Sequence, residues 1–139
     1  MALDRFSGLR VLCVEDDADI RAIAELALRD VAGFDVQLCA SGADALSVVD
    51  DFSPQLVLLD VMMPGMDGPE TLRAMKQLES MQSTPVIFMT ARLQPDEIDG
   101  YLSLGAIDII PKPFDPMNLG EQISDILTRH SGTDHQPGD

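Results

Sequence analysis

Basic residues are scarce in this chain: 9 Lys and Arg stand against 24 Asp and Glu, for a formal net charge of −15. A surface of that sign repels phosphate backbones, which argues against direct nucleic-acid binding by this domain. Cysteine is nearly absent. Cys13 and Cys39 each sit inside an apolar stretch and read as reduced, buried small hydrophobes rather than a disulfide framework. No Cys/His cluster has the spacing of a zinc site, and His130 and His135 lie in or near a polar tail with no second ligand close by. Long apolar runs are missing as well. Stretches such as 56–59 fall far short of the roughly 20 residues needed to cross a bilayer. The opening Met-Ala-Leu-Asp-Arg lacks the charged-then-apolar pattern of a signal peptide. A cytoplasmic protein with no membrane partner is the resulting expectation.

What the chain does contain is enough apolar material for one core. It has 139 residues, 45% of them hydrophobic, which suits one compact domain and excludes a disordered acidic polymer. Short apolar runs, many β-branched, recur five times, at residues 11–14, 36–39, 56–59, 86–89 and 107–110. Continuous runs of this length suit strands buried on both faces. Between them lie segments with helical spacing. Ile20, Ile23, Ala27 and Val31 mark one face of the first. Ser41 followed by Asp44 resembles a capping box opening the second. Pro69 fits the first turn of the third, with Leu72 and Met75 facing inward, and Pro95 precedes Ile98 and Leu102 in the fourth. Asp115-Pro116 opens the last, which buries Leu119, Ile123, Ile126 and Leu127. The pattern is (βα)5, an α/β domain with a parallel sheet, helices on both faces and right-handed crossovers. Residues 131–139 are polar and aperiodic, and a disordered tail is expected there.

In an open parallel sheet, ligands bind beyond the carboxyl ends of the strands. The first run ends in Glu15-Asp16-Asp17, the third in Asp60, the fourth in Thr90 and the fifth in Pro111-Lys112. The second ends in Ala40-Ser41, a helix cap. Taken singly, each residue has a plain structural role. Asp17 suits an N-cap, Asp60 can begin the Asp-x-x-x-Pro-Gly turn, Thr90 can cap, and Lys112 can be solvated. Their joint placement at strand ends is what makes a site. Crowded carboxylates repel one another unless a cation joins them. A set of hard oxygen donors with open water positions suits Mg²⁺. A hydroxyl and an ammonium beside it can hold an anion, and an aspartate can attack phosphorus to form an acyl phosphate.

The segments Val14-Glu15-Asp16-Asp17, Leu58-Leu59-Asp60 through Pro64-Gly65-Met66-Asp67-Gly68, Thr90-Ala91-Arg92 and Lys112-Pro113-Phe114 occur in this order. In that arrangement the chain resembles the receiver domains of two-component response regulators, the chemotaxis regulators among them. The resemblance runs over nearly the whole chain, giving a receiver at 9–130 between an N-terminal extension at 1–8 and the tail. It implies a flavodoxin-like strand order of 2-1-3-4-5. It also implies that Asp60 accepts a phosphoryl group from a histidine kinase or phosphotransfer protein. Asp16 and Asp60 would bind Mg²⁺ directly, Glu15 through water, and Met62 through its backbone carbonyl. Thr90, Ala91 and Lys112 would contact the phosphoryl group, and Pro113 would follow a cis bond. The resemblance further implies slow self-dephosphorylation, tuned by Met62 and Arg92, and a switched helix 4–strand 5–helix 5 face that controls a downstream protein.

One position departs from the family. Receivers usually carry Tyr or Phe three residues before the lysine, where this chain has Ile109. An aliphatic side chain has no ring to swing inward, and Tyr101 on the fourth helix is no obvious substitute. A turnover enzyme, an aspartyl-phosphate phosphatase, would place a second acid two residues after Asp60. Met62 stands there and cannot transfer protons. A docking-only pseudo-receiver would not need all five site residues. No output segment follows the last helix, so the expectation is a stand-alone receiver, with a fragment of a longer regulator as the alternative. The fourth helix carries Asp96, Glu97 and Asp99 and no basic residue, which favours a protein partner.

Overall fold

The computed structural model describes residues 6–135, with side chains described as far as His130. Five strands, β1 Arg10–Val14, β2 Asp35–Cys39, β3 Leu56–Asp60, β4 Val86–Thr90 and β5 Asp108–Pro111, form one sheet. Their order is β2-β1-β3-β4-β5, and every neighbouring pair is parallel. This is the flavodoxin-like order that the resemblance implies. The helices are α1 Ala18–Glu25, α2 Gly42–Phe52, α3 Gly68–Lys76, α4 Pro95–Ser103 and α5 Leu119–His135.

Strand side chains alternate between two cores, as a period of two requires. Val11, Cys13, Leu56, Leu58, Ile87 and Met89 face α1, the helical turn at Leu26–Val31 that continues it, and α5 through Ala24, Leu28, Leu119 and Ile123. Leu12, Val57, Leu59 and Phe88 face α2, α3 and α4 through Ala45, Val49, Leu72, Met75 and Tyr101. Each Val, Leu, Ile, Met or Phe among them contributes about 1.5–3 kcal/mol by leaving water. Cys13 and Cys39 are buried and unbonded, and fall in opposite cores. Burial pushes the Cys13 thiol up to about 12 and the Cys39 thiol up to about 11, so both stay protonated near neutral pH.

Three helical details differ from the sequence pattern. The buried residues along the first helical stretch are Ala24, Ala27 and Leu28, whereas Ile23 is 43% exposed. The buried face keeps helical spacing through Ala24, Ala27 and Leu28, one position round from Ile23, and the stretch continues as a π-helix from Leu26 to Val31. In α4 only Tyr101 is buried. Its ring stands edge-on to Phe88 at 5.4 Å, while Leu102 is 42% exposed. The aromatic contact, rather than the aliphatic pair, sets which face of α4 turns inward. Asp115-Pro116 opens a turn, with Asp115 Oδ1 accepting from Met117 N, and α5 itself begins at Leu119. The caps at Asp17, Ser41 and Asp67 are all formed. Ser41 accepts from Asp44 N, and the reciprocal half of a capping box occurs instead at Asp67–Glu70 and at Gln94–Glu97.

At the chain's ends, Phe6 packs against the first core, and Gly8 N donates to Gly33 O. Residues 1–5 of the extension lie outside the described residues. Helical backbone continues through His135, into the stretch whose composition suggests a disordered tail. An established helix adds a hydrogen bond per residue, so it can run past its apolar stripe. Residues 136–139 lie outside the described residues.

Ser124 in α5 is fully buried, and its hydroxyl has no hydrogen-bond partner among the described residues. An unpaired buried hydroxyl is a cost of about 1–3 kcal/mol, and alanine is the better helix former. Ser124→Ala should therefore raise the urea midpoint by the equivalent of about 1 kcal/mol. A lower midpoint would show the hydroxyl to be engaged in solution.

Candidate functional site

The carboxyl ends of β1, β3, β4 and β5 meet at one edge of the sheet, because parallel pairing aligns all strand ends. Glu15 follows β1, Asp60 closes β3, Thr90 closes β4 and Lys112 follows β5. Glu15, Asp60 and Thr90 are 1–2% exposed, while Asp16 beside them is exposed. Carboxylate oxygens of Glu15, Asp16 and Asp60 lie within 4.8 Å of one another. Lys112 Nζ donates to Glu15 Oε1 at 3.0 Å and to Asp60 Oδ1 at 3.0 Å. The acids and the lysine read from the strand ends thus share one pocket.

The surroundings dictate how these groups are charged. Burial pushes the Asp60 carboxyl up to about 7; the Lys112 hydrogen bond opposes this, and the Glu15 charge adds to it. Burial acts to lower the Lys112 ammonium, but the two carboxylates outweigh it and hold it above its ordinary value. One ammonium between two buried carboxylates leaves the pocket net anionic. A divalent cation on hard oxygen donors would relieve that charge, and the Asp16 carboxylate carries no hydrogen bond or ion pair among the described residues, so it is free to ligate. The donor set fits Mg²⁺ and lacks the nitrogen or sulfur that softer metals prefer.

The raised Asp60 value has a consequence for the metal-free protein. The unfolded chain ionises near 3.8, so the folded state holds this proton more tightly. Its contribution is fully present below about pH 4 and is lost as pH rises through about 7. In EDTA, the urea midpoint of the wild type should fall more between pH 5 and pH 8 than that of Asp60→Asn. Parallel pH profiles for the two proteins would refute the assignment.

The remaining site residues take less uniform positions. Met62 is 57% exposed, and its backbone N–H approaches Asp60 Oδ1 at 3.4 Å. Ala91 is exposed at the rim. The Thr90 hydroxyl accepts from Arg92 N at 2.9 Å and has no bond to Lys112 or Asp60. The Lys112–Pro113 bond is cis. Ile109 is partly buried against the core that contains Phe88 and Tyr101. Gly68 brings α3 against the end of β3: a Cβ there would sit 2.5 Å from the Asp60 carbonyl oxygen. Asp17 is the α1 cap, accepting from Asp19 N and Ile20 N, and is not part of the acid cluster.

Sequence reading did not find the apolar groove beside the pocket. Ile20, Ile23, Ala91, Pro113 and Phe114 line a cleft of about 350 Å³ that reaches Lys112. Its only advance signal was Pro113-Phe114, since Ile20 and Ile23 looked like core. A cavity of about 440 Å³ lies apart from these acids, against Leu9, Lys76, Pro85 and His130.

With this geometry in view, known proteins supply the deciding likeness: residues 11–124 match the family described as the response regulator receiver domain. The chain belongs to that family. This receiver is 41% identical over 128 residues to the transcriptional regulatory protein CpxR of Klebsiella pneumoniae, covering 91% of the chain and 53% of the relative. It is 36% identical over 122 residues to the phosphate regulon transcriptional regulatory protein PhoB of Pseudomonas aeruginosa, covering 88% and 53%. Among solved structures, the Vibrio cholerae chemotaxis protein CheY4 superposes with a TM-score of 0.81 at 29% identity, covering 87% of this chain and all of that one. The chain spans about half the length of the curated relatives it matches. It is thus a receiver domain of two-component response regulators, a signalling switch. No helix among its described residues is long and apolar enough to cross a membrane.

Proposed function

We propose that this receiver, acting through residues 9–130, takes a phosphoryl group onto Asp60 from a phosphohistidine of a kinase or phosphotransfer protein. The observation that carries the reading is the position of Asp60, with Lys112 Nζ at 3.0 Å and two further carboxylates within 4.8 Å. Asp16 and Asp60 would hold Mg²⁺ directly, Glu15 through water and Met62 through its carbonyl. When bound, the ion offsets charge on the phosphoryl oxygens.

An Asp60 carboxylate oxygen attacks phosphorus in line, the P–N bond breaks, and the imidazole leaves and takes up a proton. Lys112 keeps its charge throughout and pairs with a phosphoryl oxygen. Thr90 turns from Arg92 N toward the new anion, and Ala91 lines the phosphoryl group's other side. Water later cleaves the acyl phosphate. Met62 and Arg92, at the rim, govern its access, so dephosphorylation is slow and the protein acts as a switch. The groove of Ile20, Ile23, Pro113 and Phe114 beside Lys112 suits the donor's apolar surface.

Signal output runs through α4, β5 and α5 to a protein partner. Ile109 supplies no swinging ring, and Tyr101 is already held against Phe88, so the switch rests on Thr90.

The test is intact-mass analysis after incubation with acetyl phosphate. One phosphoryl group per chain is expected with Mg²⁺ and none in EDTA. Modification that ignores Mg²⁺, or that maps elsewhere than Asp60, would remove the reading.

A further inference from the structure

Arg21 sits in α1, one turn after the acids it follows, and makes an unusual choice of partners. One guanidinium nitrogen donates to the backbone carbonyl of Glu15 at 2.9 Å and to that of Asp16 at 3.0 Å. Asp16, Asp17, Asp19 and Glu25 all lie within four or five residues of it in sequence, yet it forms no ion pair with any of them. Arg29 further along does the opposite, pairing with the carboxylate of Glu25.

We propose that Arg21 is a positioning residue for the acid pair, an inference that rests on the Mg²⁺ reading of the site. By gripping two successive carbonyls, Arg21 fixes the peptide planes on either side of Asp16. The carbonyls point toward α1, and the Asp16 carboxylate is left free on the side of Asp60. Two further bonds set the Glu15 end of the same loop. Asp17 N donates to Glu15 Oε2 at 3.1 Å, while Lys112 holds Oε1. Arg21 N also donates to Asp17 O at 2.9 Å, so the helix that carries the guanidinium is anchored in the loop it clamps. The loop cannot relax away from its own repulsion, and the carboxylates wait in a ligating arrangement. Groups that orient metal ligands in this way matter because the ion then binds without first ordering them.

The test separates this role from a mere charge effect by sign. A cation near the pocket disfavours Mg²⁺, so removing charge alone would tighten binding. Loss of the clamp weakens it. Mg²⁺ titrated calorimetrically into the full chain near neutral pH should bind Arg21→Met about tenfold more weakly than wild type. Arg21→Gln, which keeps one donor, should lie between them. Arg29→Met, which removes the same charge elsewhere, should bind as wild type does. A urea midpoint for each variant without Mg²⁺ identifies the folded ones, and Arg21→Gln serves if Arg21→Met is not folded. Unchanged or tighter Mg²⁺ binding by a folded Arg21 variant overturns the proposal, as does equal weakening in Arg29→Met. Failure of the wild type to bind Mg²⁺ would instead overturn the underlying reading of the site.

Discussion

Asp60→Asn is expected to abolish Mg²⁺-dependent phosphorylation by acetyl phosphate, and to abolish beryllofluoride binding, while leaving a folded protein. The amide has nearly the shape of the carboxylate but no anionic oxygen to attack phosphorus, so the loss should be complete rather than partial. Nor can it replace a carboxylate as a charged metal ligand, and Mg²⁺ affinity should drop about tenfold or more. Stability should move the other way. Asp60 is 2% exposed, and burial makes its charge costly, so metal-free Asp60→Asn should be at least as stable as wild type at pH 8. Inertness combined with undiminished stability distinguishes a lost nucleophile from a lost fold. Residual Asp60→Asn modification at the wild-type rate, with the phosphoryl group mapped to another residue, would end the assignment.

Lys112→Met should produce two effects of opposite sign. The ammonium, with 17% of its side chain exposed, touches two carboxylates whose side chains are 1% and 3% exposed. Removing one partner of a buried ion pair leaves uncompensated charge, and a loss of about 2–3 kcal/mol is expected in EDTA at pH 8. At pH 5 the loss should shrink, because Asp60 then takes up a proton. Mg²⁺ affinity, by contrast, should rise at least about threefold, since a competing positive charge has gone from the pocket. Saturating Mg²⁺ should therefore recover much of the lost stability. The phosphorylated variant would still carry its modification on Asp60 but would lack the cation that pairs with it, so the spectral changes of activation should fail at Thr90 and in α4. A Lys112→Met protein as stable as wild type in EDTA, or binding Mg²⁺ more weakly, would show that the lysine does not face both acids in solution.

Much of this arrangement is legible in the sequence. Glu15, Asp16, Asp60, Thr90 and Lys112 were legible because each directly ends or follows an apolar run, and parallel strands bring such positions to one edge. The five strands were legible for a related reason: short β-branched runs buried on both faces have no other economical arrangement. Packing is less legible in the sequence. Ile23 looked like core because it follows Ile20 at helical spacing, but the buried face runs through the small Ala24 and Ala27 and through Leu28. Leu102 looked like core because an aliphatic spacing took no account of the Phe88–Tyr101 ring contact.

From the residues alone follow the class of fold, the edge where chemistry gathers and the type of group found there, since these depend on local periodicity and on strand-end position. The family likeness added the strand order and the cis Lys112–Pro113 bond. Tertiary structure alone decided which charges meet and how strongly. Lys112 lies 97 positions from Glu15 and 52 from Asp60, yet bonds both; Arg21 turns to two carbonyls instead of to any neighbouring acid; and burial moves Asp60 to about 7. Distance and dielectric are properties of the folded surroundings, and no local pattern in the chain encodes them.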